Sequence, residues 1–125
     1  KIPVATMIQG KAMSCGAILF SFGTEEHRYM DSDATLMIHD VSSSGWGKIE
    51  EIKADVKEAE RLNKKIFRMM AKNCGQEEDY FLDIIHDKGH ADWYLDYKEA
   101  KRHKIANHDH IPTMKITANV KFEIE

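Results

Sequence analysis

Apolar and polar positions follow two rhythms along this chain. Ile49, Ile52, Val56, Ala59, Leu62, Ile66, Met69 and Met70 recur at spacings of three and four, with Lys, Glu and Arg between them. That is the stripe of an amphipathic helix, and it predicts about seven turns ending near Asn73 and Gly75. Such a length exceeds what one face of a small domain needs. The helix therefore either projects to meet a partner or lies across its own sheet. The other rhythm is shorter. Residues 2–8 (IPVATMI), bounded by Gly10, read as a buried strand. Residues 28–30 and 35–39 read as two strands around a turn at Asp31, Ser32 and Asp33. Residues 114–124 (MKITANVKFEI) alternate apolar and polar side chains, the period of a strand.

The remaining segments complete an α/β pattern. Residues 13–22 (MSCGAILFSF) are apolar nearly all round and predict a buried helix stopped by Gly23. Residues 24–27 are a polar loop, and the Ser/Gly-rich run 41–47 (VSSSGWG) is a loop by composition. Shorter helices are expected over 77–85 and 98–103. No repeat or low-complexity segment interrupts the chain. Strands interleaved with helices give the α/β class.

Composition narrows the picture. A chain of 125 residues fits one compact unit and can bury roughly 65% of its unfolded surface. A net charge of -3 leaves no electrostatic footprint for nucleic acid or an anionic membrane. No apolar run approaches the ~20 residues that cross a bilayer. Cys15 and Cys74 lie far apart, in no metal-type spacing, and fit a reducing compartment better than a disulfide framework. The chain opens at Lys1 without an initiator Met, so a processed form or a fragment is expected.

Candidate chemistry begins at Gly10-Lys11-Ala12-Met13-Ser14-Cys15-Gly16-Ala17. A strand runs into a glycine, and a lone serine stands at the first turn of a buried helix, flanked by small residues. Unpaired N–H groups of that turn could hold a developing oxyanion, and the helix dipole has the right sign. The alternative is that Ser14 merely caps the helix. The pattern is not the G-x-S-x-G elbow, because Ala12 stands two residues before the serine. His39 closes the apolar strand and could act as a general base, or be an ordinary core or loop histidine. Asp92 precedes Trp93, Tyr94 and Leu95, an apolar wall that would strengthen its hydrogen bond to an imidazole. By itself Asp92 is equally a turn or N-cap residue.

The conjunction is more specific than its parts. G-x-A-x-S-x-G-A at 10–17, then an Arg, Met37-Ile38-His39, a long helix closed by Cys74-Gly75-Gln76, and D-W-Y-L-x-x-x-E-A at 92–100 together resemble the Clp-type serine peptidases. The resemblance runs from about Val4 to Asn107 and is gapless from Ser14 to Gly75. It implies a Clp/crotonase-like spiral of short strands and helices across a single partial domain, 1–125. Within it, 1–47 would carry the nucleophile helix and the His strand, 48–74 a protruding handle helix, and 75–125 the Asp. It further implies Ser14 as nucleophile, His39 as general base and then acid, Asp92 as the residue orienting His39, and the Cys15 N–H as one oxyanion donor. Peptides or unfolded proteins would be the substrates, with no cofactor. The family also implies a ring-shaped homo-oligomer, an ATP-dependent unfoldase as partner, and a cytoplasmic location.

This chain departs from the family pattern in several places. Val41 stands where the family has a proline two residues after the catalytic His, and Ser32 replaces the turn proline before the M-I-H strand. A short insertion around 86–90 makes Asp87 the alternative third member. Lys104-Ile105-Ala106-Asn107 replaces the family's closing G-[LI]-[VI]-D, and the strand expected at 114–124 is an addition. Divergent peptidases of tailed phages are more similar there. The family's glycine-rich loop, which gives the other oxyanion donor, is not in this sequence. Losing one such donor costs ~10²–10³ in rate, so impaired activity is expected.

Two rival readings remain. One is metal chemistry at His86, His90, His103, His108 and His110. Gly89 and the missing Glu of H-E-x-x-H argue against it, so no metal is expected. The other is a catalytically silent Clp-like assembly subunit or truncated homologue.

Overall fold

The computed structural model describes residues 2–42 and 44–125; of the loop expected over 41–47, Ser43 lies outside the described residues. The elements in chain order are β1 (Thr6–Ile8), β2 (Lys11–Met13), α1 (Cys15–Ser21), β3 (Arg28–Met30), β4 (Thr35–Ile38), α2 (Ile49–Asn73), α3 (Tyr80–Asp87), β5 (Trp93–Leu95) and α4 (Tyr97–Arg102). They form an α/β fold with two open sheets. β1 and β3 pair in parallel; β4 lies between β2, in parallel, and β5, antiparallel.

The expected elements survive with shifted ends. Only Thr6–Ile8 of the 2–8 segment is strand, because Ile2 and Val4 lie in solvent. The run 13–22 divides: Met13 closes β2, and the helix begins at Cys15. β5 had no sequence signal as a strand. The expected strand 114–124 is a correction. These residues carry no regular structure and are exposed, Phe122 at 91%. An alternating pattern supplies a face but no neighbour, and a strand exists only through the hydrogen bonds of an adjacent strand.

Strand alternation fills the core. Leu36 and Ile38 of β4, Trp93 and Leu95 of β5, and Met30 of β3 are all buried. Against them pack Phe20 of α1, Phe67 and Met70 of α2, and Phe81 and Ile85 of α3. The buried residues of α2 are Phe67, Met70 and Ala71, all in its last turns. Its first turns are bare, with Ile49 at 72% exposure and Val56 at 52%.

α2, α3 and α4 end by one rule. At the end of α2, Gln76 N–H bonds Ala71 O and Gly75 N–H bonds Lys72 O, with Gly75 at φ +64. This is the Schellman closure that the glycine predicted. α3 ends the same way, His90 N–H to Ile85 O and Gly89 N–H to His86 O. α4 repeats it with Lys104 at φ 59 in the position glycine favours, and Ile105 N–H bonds Ala100 O at 2.8 Å.

Arg28 is the buried charge of the fold. Its side chain is 1% exposed and donates to the carbonyls of Ile105 (2.8 Å), Gly23 (2.9 Å) and Lys104 (3.1 Å). Its backbone N–H donates to Asn107 Oδ1 and its carbonyl accepts from Asn107 N–H, both at 2.9 Å. Gly23 must be glycine for this approach. A Cβ there would meet Thr6 Oγ1 and stand 2.8 Å from Arg28 Cγ. Cys74 is buried and its thiol is pushed up to about 11 by desolvation, against a smaller downward pull from Arg28.

Two outcomes follow from this packing. Arg28→Met keeps the bulk but strands buried carbonyls, and is expected to cost about 2–4 kcal/mol in urea unfolding. Arg28→Lys should fall between the two. The second outcome concerns His103, whose Nδ1 shares a 2.7 Å hydrogen bond with Tyr80 Oη. Burial first, then the Arg102 charge, holds His103 below the ordinary 6.5. The unfolded chain therefore takes up this proton before the folded one, so stability should fall as pH drops below 6.5 and level off once the lowered folded value is passed. His103→Gln should flatten that part of the stability–pH profile.

Candidate active site

The ladder of β2, β4 and β5 decides where the chemistry-bearing residues stand. Met13 pairs with Met37, and Ile38 pairs with Trp93. Ser14 follows Met13, His39 follows Ile38, and Asp92 precedes Trp93 in the antiparallel strand. All of them therefore lie one step beyond the paired residues, at the same end of one sheet. Continued by one residue, the β4–β5 register sets His39 opposite Asp92. Leu36 and Ile38 point into the core, so alternation puts His39 on the other face with Met37, and Asp92 with Tyr94.

Ser14 occupies the turn from β2 into α1. Its N–H donates to Met37 O at 2.9 Å, which extends the parallel ladder, and its carbonyl accepts from Ile18 N–H at 3.1 Å. Between these bonds the backbone takes φ 53, ψ -119, a region that side chains other than glycine rarely enter. Its hydroxyl makes no capping hydrogen bond, so the capping role weighed from sequence is not what the side chain does. The conformation turns strand into helix within one residue, as the nucleophile turn of the α/β hydrolases does, although the glycine pattern of that turn is missing. The N–H groups of Cys15, Gly16 and Ala17 precede the first i→i−4 bond of α1 and have no acceptor inside the helix. A groove of about 330 Å³, lined in part by Met7, Gln9, Ala12, Gly16 and Leu19, runs beside this turn.

His39 is half-buried, and its Nδ1 bonds the backbone carbonyl of Asp40. A carbonyl only accepts, so Nδ1 carries a proton, and in the neutral ring Nε2 is then the bare nitrogen. Asp92 is exposed. Among the described residues no hydrogen bond joins His39 to Ser14 or to Asp92. Shared position, not a completed relay, is what the fold provides. Asp87 ends α3, exposed, with its carboxylate 3.8 Å from His86 Nδ1.

The late histidines fall into separate places, His86 and His90 with ring centroids 5.7 Å apart, His108 and His110 likewise 5.7 Å apart, and His103 elsewhere. His108 stacks on Tyr29 at 4.9 Å and donates to Glu26 O, while His103 lies edge-on to Trp93 at 4.9 Å. His90 reaches the site, as the sequence reading missed: its Nδ1 donates to Asp40 Oδ2 at 2.6 Å. Asn63 of α2 donates to the other oxygen of Asp40 at 2.7 Å. Asn63 did leave a signal, being a polar residue three before Ile66 and four after Ala59 on the apolar stripe.

The family model described as Clp protease matches residues 1–108, leaving out the irregular tail.

The strained serine yields a test that does not depend on activity. Glycine relieves the φ 53 conformation and alanine does not. Ser14→Gly should be more stable than Ser14→Ala by about 1 kcal/mol in chemical denaturation.

Proposed function

Because the chain belongs to the Clp protease family, we propose that it is a serine endopeptidase that cleaves peptide bonds through an acyl-enzyme on Ser14. Membership itself supports hydrolysis of peptide bonds as the reaction class. The observation that supports the finer reading is the strand register, which has Ser14, His39 and Asp92 each one residue past the paired residues at the same end of the β2–β4–β5 sheet. The strained turn at Ser14 supports it further.

In this reading Ser14 Oγ attacks the scissile carbonyl while His39 Nε2 takes the hydroxyl proton. The tetrahedral oxyanion lies against the N–H of Cys15, which has no acceptor within its helix. His39 then protonates the leaving amine, and water repeats the sequence to release the acid. Asp92 holds the imidazolium once the ring exchanges the Asp40 carbonyl for the carboxylate facing it across the strand pair. That exchange is a rotation of one side chain. The groove beside β2 suits an extended peptide, and the chemistry uses no cofactor. The bare first turns of α2 support its reading as a handle between copies of the chain, within a spiral-type fold and a ring assembly. An ATP-driven unfoldase would deliver folded substrates to such a ring, in the cytoplasm.

The same geometry leaves a second reading, a catalytically silent assembly subunit, favoured because among the described residues no hydrogen bond joins His39 to Ser14 or to Asp92. A fluorophosphonate probe separates the two. The peptidase reading expects a mass shift on Ser14 and turnover of a fluorogenic peptide, both abolished by Ser14→Ala. Asp92→Asn should lower turnover by up to about 10⁴-fold, and Asp87→Asn should leave it near wild type. Folded protein with no label on Ser14 supports the silent reading.

A further inference from the structure

We propose that Asp40 is a positioning residue for His39, clamped by Asn63 of α2 and His90 of the α3–β5 connection. This deepens the peptidase reading and rests on it. Asp40 uses every acceptor it has. Its carbonyl takes the His39 Nδ1 proton, Oδ1 takes Asn63 Nδ2–H at 2.7 Å, and Oδ2 takes His90 Nδ1–H at 2.6 Å. Asn63 then closes the circle, its Oδ1 accepting the Val41 N–H at 2.9 Å.

The Asp40 carbonyl and the Val41 N–H belong to one peptide plane. Asn63 grips the N–H edge of that plane, and His39 is held at its C=O edge. A rotation of the plane would break both bonds at once. The plane begins the Ser/Gly-rich run 41–47. Held in place, the carbonyl keeps the proton on Nδ1 and leaves Nε2 bare, the form that can accept a proton from serine.

The clamp stands on features that are otherwise unfavourable. Asn63 is a weak helix former inside a long helix, on the stripe that should be apolar. His90 sits at φ 60, strained for a residue with a Cβ, and follows Gly89 at φ +63. That pair of left-handed residues ends α3 and carries His90 back to the end of β4. The side chains are partly open to water, Asp40 at 29% and His90 at 59%, so these bonds add little to global stability. Their consequence is orientation.

The test compares Asn63→Ala and Asp40→Ala with the wild-type chain. Asn63→Ala raises helix propensity, so loss of folding is not its expected outcome. Ser14 labelling by fluorophosphonate and kcat on a fluorogenic peptide should each drop about ten- to hundred-fold, with KM unchanged. His90→Gln, which keeps an N–H donor, should recover part of what His90→Ala loses. A second measurement is independent of activity. In Asn63→Ala the Val41 amide should exchange faster with solvent, and the His39 ring nitrogens should change from one tautomer to an average of two by NMR. If wild-type Ser14 does not label, the peptidase reading fails while the NMR arm still decides the clamp. An unmoved His39 ring spectrum and Val41 amide in both variants overturns the clamp, as does wild-type labelling in both.

Discussion

A single guanidinium organises this fold. Arg28 lies in the protein interior with no carboxylate among its hydrogen-bond partners, only the carbonyls of Gly23, Lys104 and Ile105. A buried cation without its hydrogen bonds would be prohibitively unfavourable, so the chain must bring those carbonyls to it. Two come from Lys104 and Ile105, just past the closure of α4. The third comes from the exit of α1. Segments distant in sequence are thus fixed around one side chain, and the backbone of Arg28 extends the contact through Asn107 and His108 to the β1–β3 sheet. Val41 stands where the family has a proline, yet its N–H is not idle: it bonds Asn63, a contact no proline could make.

With the frame set, the site is a matter of strand register. β2 runs parallel to β4 and β5 runs antiparallel to it, so the C-terminal ends of the first two meet the N-terminal start of the third. Any residue just past that line is delivered to the same edge. The frame is apolar and tightly packed, while the groups at its edge are half-buried or exposed and weakly bonded. This division suits chemistry. A side chain such as His39 can change partners without disturbing Leu36 and Ile38, which anchor the strand behind it in the core.

How much of this could be read from the sequence depended on whether a signal was local. α2 was legible because its stripe, acidic first turn and closing glycine all agree. β3 and β4 were legible because a turn tripeptide separates them. β2 was hidden because its few residues merge into the apolar run of α1, and β5 because an aromatic run reads as wall or strand alike. The tail at 114–124 misled for the opposite reason, since its alternation is clear while pairing is a property of two segments. The family pattern marked Ser14, His39 and Asp92 without any geometry. The φ of Ser14 had no sequence signal, because glycine is the residue that usually announces such a turn.

The Asp40 cluster marks the boundary of what a motif can reveal. Asp beside His is commonplace, Asn on an apolar stripe is a mild anomaly, and a histidine in an inserted loop is ordinary surface. Only the fold makes them one object, by closing α3 with left-handed residues and passing α2 beside the end of β4. A triad motif describes which groups react; it is silent on what keeps an imidazole in the right tautomer. In this chain that task falls to a peptide plane, and the side chains that hold the plane are not among the residues to which the motif gives a role.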